Sequence, residues 1–108
     1  MSGTELIAAE RQRQIEKEGW SLEHDDKHSS GELARAGICY AMWNIIEHSK
    51  IVRARETIQL WWPWDWEWWK PKDEISNLVR AGALIAAEID RLERSTVANK
   101  AFTRQGRA

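Results

Sequence analysis

Two histidines and three carboxylates crowd one short stretch of the chain: His24, Asp25, Asp26, His28 and, one helical turn further on, Glu32. Imidazole and carboxylate together suit zinc, manganese or iron, and a spacing of four stacks His24, His28 and Glu32 on one side of a helix. In a loop the same residues do something plainer. Asp25 or Asp26 then caps a turn, and a histidine bonds nearby backbone. Ser29 followed by Glu32 has the form of a capping box, which starts a helix only after the second histidine and so favours the loop.

A second set of carboxylates, Glu10, Glu18, Glu32, Glu88 and Asp90, falls on segments with helical periodicity. Magnesium accepts a few carboxylates together with substrate phosphates. The arrangement resembles the MazG-type all-α nucleoside triphosphate pyrophosphohydrolases, in which paired glutamates one turn apart on one helix face a glutamate and an aspartate on another. The resemblance implies a magnesium-dependent hydrolase using Glu10, Glu32 and Glu88. This chain departs from that pattern at two points. Glu32 is followed one turn later by Arg35 and Ala36, and Glu88 and Asp90 are two apart, which points them to different sides of a helix.

The third chemical offer is aromatic. Eight tryptophans occur in 108 residues, six of them at positions 61, 62, 64, 66, 68 and 69, against one tyrosine and one phenylalanine. Indole faces stack on nucleobases whatever the base, at roughly 1 to 3 kcal/mol each. Arginine and lysine meet phosphate through charge-assisted hydrogen bonds. The candidate nucleotide site is therefore His24, Asp26 and His28 with Arg35, Tyr40, Trp64, Trp68, Lys70 and Arg80. Most of the rings are expected to pack in the core or an interface, leaving one or two to stack on a ligand. Cys39 sits between Ile38 and Tyr40 without a basic neighbour in sequence and reads as a small core residue. No P-loop, dinucleotide fingerprint or nucleophile elbow is present.

Composition narrows the class. A chain of this length makes one domain, and a single cysteine cannot form an internal disulfide. No apolar run approaches the roughly 18 residues of a membrane span, and the N-terminus lacks the layout of a signal peptide. A cytoplasmic protein without membrane partners is expected. The net charge of −1 hides segregation. Residues 1–32 carry eight acids and four bases, a local −4; residues 91–108 carry five bases and one acid, a local +4. With no long basic stripe outside the tail, sequence-specific nucleic-acid binding is disfavoured.

These residues must be positioned by helices. Ser2 with Glu5 is a capping box that opens a helix over about Thr4 to Glu18, stopped by Gly19. Its apolar side is thin, Leu6, Ile7, Ala8 and Ile15, with Glu10, Arg11 and Gln14 beside it, as in a helix that lines a hydrated pocket or is half covered. A second helix is expected from about Ser30 to Glu47, apolar over much of its circumference and hence central. Its small residues Ala34, Ala36, Gly37 and Ala41 would admit a close neighbour. Residues 49–60 fit either a short strand or a helix. Pro63 and Pro71 bracket the tryptophan segment and bar a regular helix through it. Asp73 caps a third helix with the cleanest period in the chain, Ile75, Leu78, Val79, Gly82, Ile85, Ala86, Ile89 and Leu92, ending near Arg94. The expected fold is all-α: a three-helix bundle over residues 1–94 with a Trp-rich loop as a lid before the third helix. Residues 95–108 form a basic tail that is flexible or contacts a neighbouring subunit. Such a small core makes a homo-oligomer a reasonable expectation.

The runs AERQRQIEKEGW, EHDDKHSSGELARAGICYA, WWPWDWEWWKP and LVRAGALIAAEIDRL resemble a family of small bacteriophage and prophage proteins across most of residues 8–94. Trp61 and Trp66 depart from the family pattern, and no catalytic residue is carried over. The resemblance implies a phage accessory protein acting against host defence, one mode being an oligomeric sponge that sequesters a signalling nucleotide without cleaving it. An inhibitor docking its tryptophans on a host defence enzyme is a further possibility from another class.

Overall fold

The computed structural model describes residues 1–49 and 54–106 and is helical throughout, with no strand among the described residues. Five α-helices follow in order: α1 (Gly3–Lys17), α2 (Leu22–Asp26), α3 (Glu32–Ser49), α4 (Ala54–Trp61) and α5 (Glu74–Gly106), with one 3-10 turn at Trp66–Trp68. Three are long, as the sequence implies, and two are short and additional. No helix is long and apolar enough to cross a membrane among the described residues.

The helix ends follow local chemistry. Ser2 and Glu5 form the reciprocal capping box at α1. Gly19, at φ 71°, reverses the chain so that the Trp20 N–H donates to the Gln14 carbonyl. The polar connection expected over Trp20–His28 instead holds α2, because Ser21 accepts from the His24 N–H and caps a single helical turn. At α3, Glu32 takes the Ser30 N–H and Gly31 adopts φ 82°, so the helix begins two residues later than expected. The ambiguous 49–60 segment resolves as helix from Ala54, with Ile58 fully buried and Leu60 mostly exposed. Alternation cannot produce that pattern from two residues of one strand face. Residues 50–53 lie outside the described residues.

Asp73 caps α5 by accepting from the Ser76 backbone and hydroxyl. The helix does not end at Arg94 but runs to Gly106, since no glycine or proline interrupts residues 83–105. At 33 residues α5 is about 50 Å long. It gives the chain a radius of gyration of 16.1 Å, against about 13 Å for a compact chain of similar size.

The α3–α5 contact is the main tertiary interface, and it is made of small residues. Gly37 of α3 lies against Ala81 and Leu84 of α5, and Ala36 and Ala87 belong to the same buried cluster. A Cβ added at Gly37 would lie 3.1 Å from the Ala81 carbonyl and 3.1 Å from the Ile85 side chain. The close approach expected from the small residues of this helix is therefore present. Its consequence runs against the periodicity reading. The face of α5 turned inward is Asn77, Ala81, Ala83, Leu84 and Ala87, while Ile75, Leu78, Ile85, Ile89 and Leu92 remain exposed. Ile38 and Ile45 of α3 are exposed as well. Close packing of two backbones requires small side chains between them, so the alanine face wins the interior and the large aliphatics turn outward.

Helix α1 crosses α5 on the other side, with Ile7 lying over Gly82. Its expected apolar face is only partly used: Ile15 is exposed and Gln14 is fully buried. Replacing Gly37 with leucine forces α3 and α5 apart and is expected to lower stability by about 1–3 kcal/mol, read as a reduced urea midpoint in equilibrium unfolding followed by circular dichroism.

Candidate functional site

The tryptophan segment is strapped onto α3 and α5 by polar contacts at its C-terminal end. Asn77 accepts from the Lys72 N–H at 2.7 Å and donates from Nδ2 to the Lys72 carbonyl and to Asn44 Oδ1, each at 3.0 Å. Asn44 in turn donates to the Glu74 carbonyl at 2.9 Å. One turn along α5, Arg80 Nη1 donates to the Lys70 carbonyl and to the Tyr40 hydroxyl, each at 3.2 Å. Proline at 63 prevents the segment from extending α4. The Trp62 indole N–H donates to the Asp65 carbonyl and closes the turn that follows.

Held in this way, the rings form a continuous aromatic chain. His24 stacks on Trp20 at 5.4 Å and 9°, and His28 meets His24 edge-on at 4.9 Å. Trp64 meets His28 at 5.2 Å and Trp62 at 5.4 Å, and Trp62 leads on to Tyr40 and Trp69. Trp43 and Trp66 join through Trp69. Edge-to-face and offset contacts at these separations are favourable, and they make Trp62, Trp64, Trp66 and Trp69 part of the fold. Trp61 and Trp68 are half exposed, and the Lys70 ammonium lies 5.7 Å from the Trp68 ring.

Between this aromatic wall and the C-terminal half of α1 lies a cavity of about 900 Å³. Seven of the nine residues expected at a ligand site line it: His24, His28, Tyr40, Trp64, Trp68, Lys70 and Arg80. Asp26 and Arg35 do not line it. Asp26 pairs with Arg94 at 2.7 Å and pins α2 to α5, and Arg35 lies one turn before Cys39 on α3. The cavity also takes Arg13, Gln14 and Glu18 from α1, together with Trp20, Trp62, Pro63, Asp65, Lys72 and Leu84. The polar side of α1 hinted at a pocket and included Gln14, but Arg13 and Glu18 were not among the residues it marked. Lys72 carried no signal, because its place depends on the asparagine strap.

The cavity lining has four permanent cations, Arg13, Lys70, Lys72 and Arg80, against two carboxylates, Glu18 and Asp65. Arg13 is clasped by Glu10 at 2.8 Å and Glu18 at 3.0 Å. Burial pushes the Glu10 carboxyl up, but hydrogen bonds and charge from Arg13, with the charge of Arg80, outweigh that and hold it below its ordinary value. Arg80 spends only Nη1 in its hydrogen bonds, leaving Nη2 outside that network. Gln14 is fully buried and its Oε1 has no partner, so an acceptor stands ready at the cavity wall.

Beneath the histidines lies a buried charge pair. Asp25 is fully buried, accepts from Arg11 Nη2 at 2.9 Å, and lies 3.0 Å from His24 Nδ1. This holds the imidazole with Nδ1 against a carboxylate. His28 Nδ1 is 3.7 Å from Glu32. The proposed metal stack does not form: among the described residues no three His, Cys, Asp or Glu side chains converge on a cation position. The carboxylates considered for magnesium are dispersed, Glu88 with Arg91 at 2.7 Å, Asp90 at 3.9 Å from Arg11, and Glu32 beside His28. Cys39 is fully buried, and burial pushes its thiol up to about 11.

No protein-family model, curated protein or solved structure matches this chain.

Two outcomes follow from the buried groups. Asp25→Ala leaves the Arg11 guanidinium buried without its partner and is expected to lower stability by about 3–5 kcal/mol, measured by thermal unfolding. From pH 9.0 to about 11 the unfolded Cys39 thiol is ionised while the folded thiol stays protonated, so unfolding releases a proton and raising the pH destabilises the fold. Cys39→Ala should flatten that part of the stability curve, and a thiol reagent at neutral pH should modify native Cys39 only as fast as the chain opens.

Proposed function

We propose that this protein binds a nucleotide-derived signalling molecule and withholds it intact, as a phage-type accessory protein acting against host defence in the bacterial cytoplasm. The observation that carries this reading is the cavity itself. Its volume of about 900 Å³ lies within the roughly 300–1,000 Å³ of small-molecule sites. Its lining places aromatic faces beside an excess of cations, which is the combination that a base with its phosphates requires.

The roles divide along the cavity. Trp68 offers the most exposed indole face in its wall, and Trp64 and Tyr40 supply further ring surface. Arg80 and Lys72 meet phosphate oxygens, Arg80 being held in place through the Tyr40 hydroxyl. The Gln14 carbonyl oxygen accepts from an exocyclic amine or a ribose hydroxyl. Sequestration rather than hydrolysis is favoured because the carboxylates of the hydrolase reading have separate partners, Glu10 with Arg13, Glu88 with Arg91 and Glu32 with His28. We further infer that the protein works as a homo-oligomer.

The test is to mix the protein with cyclic dinucleotides, cyclic trinucleotides and adenosine-diphosphate-ribose derivatives, measure the thermal shift, and release bound ligand by heat for chromatography. At least one compound should raise the melting temperature and return unchanged. Trp68→Ala and Arg80→Ala should each weaken that binding about tenfold or more. A panel that stays unbound would sink the reading. Monophosphate and pyrophosphate appearing with magnesium would replace it with the hydrolase reading.

A further inference from the structure

The five large aliphatics that α5 turns outward, Ile75, Leu78, Ile85, Ile89 and Leu92, recur at alternating steps of three and four along more than four helical turns. The one missing position in that register is Gly82, and it is covered by Ile7 of α1. On the opposite flank, Gly37 against Ile85 places the exposed Ile38 beside the stripe. The three long helices therefore form a layer with α5 in the middle. The ring cluster and the cavity occupy one side of it, and a continuous aliphatic strip runs along the other.

Ile38 and the five α5 residues are each between 42% and 66% exposed. Together they present on the order of 500 Å² of apolar surface, at the upper end of the roughly 300–600 Å² of the largest patch on an ordinary monomer. A stripe of period 3.5 without a charged residue in its register is the surface that a second helix with the same pattern fills. The same strip on another copy has that pattern, that length and that width. Two such strips contribute about 1,000 Å² of apolar area, the larger part of the roughly 1,200–2,000 Å² of a stable interface, and the flanking polar residues supply the rest.

We propose that this face is a two-fold interface between copies of this chain, in which the α5 stripe of one protomer packs on that of its partner. The interface is isologous, each copy giving the same residues. It lies on the side of the layer away from the cavity, so a dimer carries two outward-facing sites. The assembly gives physical form to the homo-oligomer inferred above but does not depend on the ligand reading, since it rests on residues that do not line the cavity.

Sedimentation equilibrium of the full chain over a wide concentration range, with no ligand added, tests the proposal. The wild type should have twice the chain mass at micromolar concentration. Ile85→Glu combined with Ile89→Glu should weaken the dimer at least 100-fold, with the helical circular dichroism unchanged. Leu92→Glu alone, at the edge of the stripe, should weaken it to a smaller degree and guards against a double variant that fails to fold. A wild type of single-chain mass throughout would overturn the proposal. So would a dimer that persists in both variants, or a single-chain form that instead co-sediments with phosphatidylglycerol vesicles. Any of these results leaves the ligand panel to be judged by itself.

Discussion

The close approach of α3 to α5 is the constraint on which the rest of this structure depends. Gly37 against the Ala81 backbone, with Ala36, Ala81 and Ala87 in the same buried cluster, brings the two helices close, and Leu33 and Leu84 fill the space beside that point. Once that contact is made, α5 has no choice about its large aliphatics: they point to the opposite side. Placement of the tryptophan segment also follows, because the buried Asn44–Asn77 pair that anchors it needs these helices in register. An amide pair in such a contact is favourable only when each group is satisfied, and both asparagines are bonded to backbone as well as to each other.

The eight tryptophans then divide into two populations for a simple reason. Those near the strap and α3 meet other rings on several sides and behave as core, with Trp62 nearly buried at the junction of Tyr40, Trp64 and Trp69. Trp68 lies in the 3-10 turn and projects toward the cavity, while Trp61 ends α4 outside it. This division explains how a chain with so few other aromatics builds both an interior and a stacking wall from one nine-residue segment. The polar floor comes from Arg13 and Gln14 of α1 and from Glu18 just after it, with Glu10 bound to Arg13 behind them.

The His–Asp stretch illustrates how local structure redirects chemistry. Ser21 starts a helical turn that the spacing of the histidines alone does not announce, and within that turn Asp25 points inward to Arg11 while Asp26 points outward to Arg94. Adjacent acids thus do unrelated work. His24 and His28 are left as ring surfaces on the cavity, steadied by Trp20 and Trp64, and are not brought together with a third ligand.

Much of this could be read from the chain itself. Ser2 with Glu5, Gly19 and Asp73 determined three helix boundaries through hydrogen bonds that span only a few residues. His24, His28, Tyr40, Trp64, Trp68, Lys70 and Arg80, picked out by residue type as rings and cations, line one cavity. The short helix of Ser21–Asp26, the inclusion of Arg13, Gln14 and Lys72, and the exclusion of Asp26 and Arg35 were decided only in three dimensions. So was the direction of α5. Its periodicity picked out one face of large aliphatics, and the alanine face that is buried carried no such period. Sequence cannot say which of the two faces the interior, because that depends on how near α3 can come, a distance set by the side chains of both helices at once.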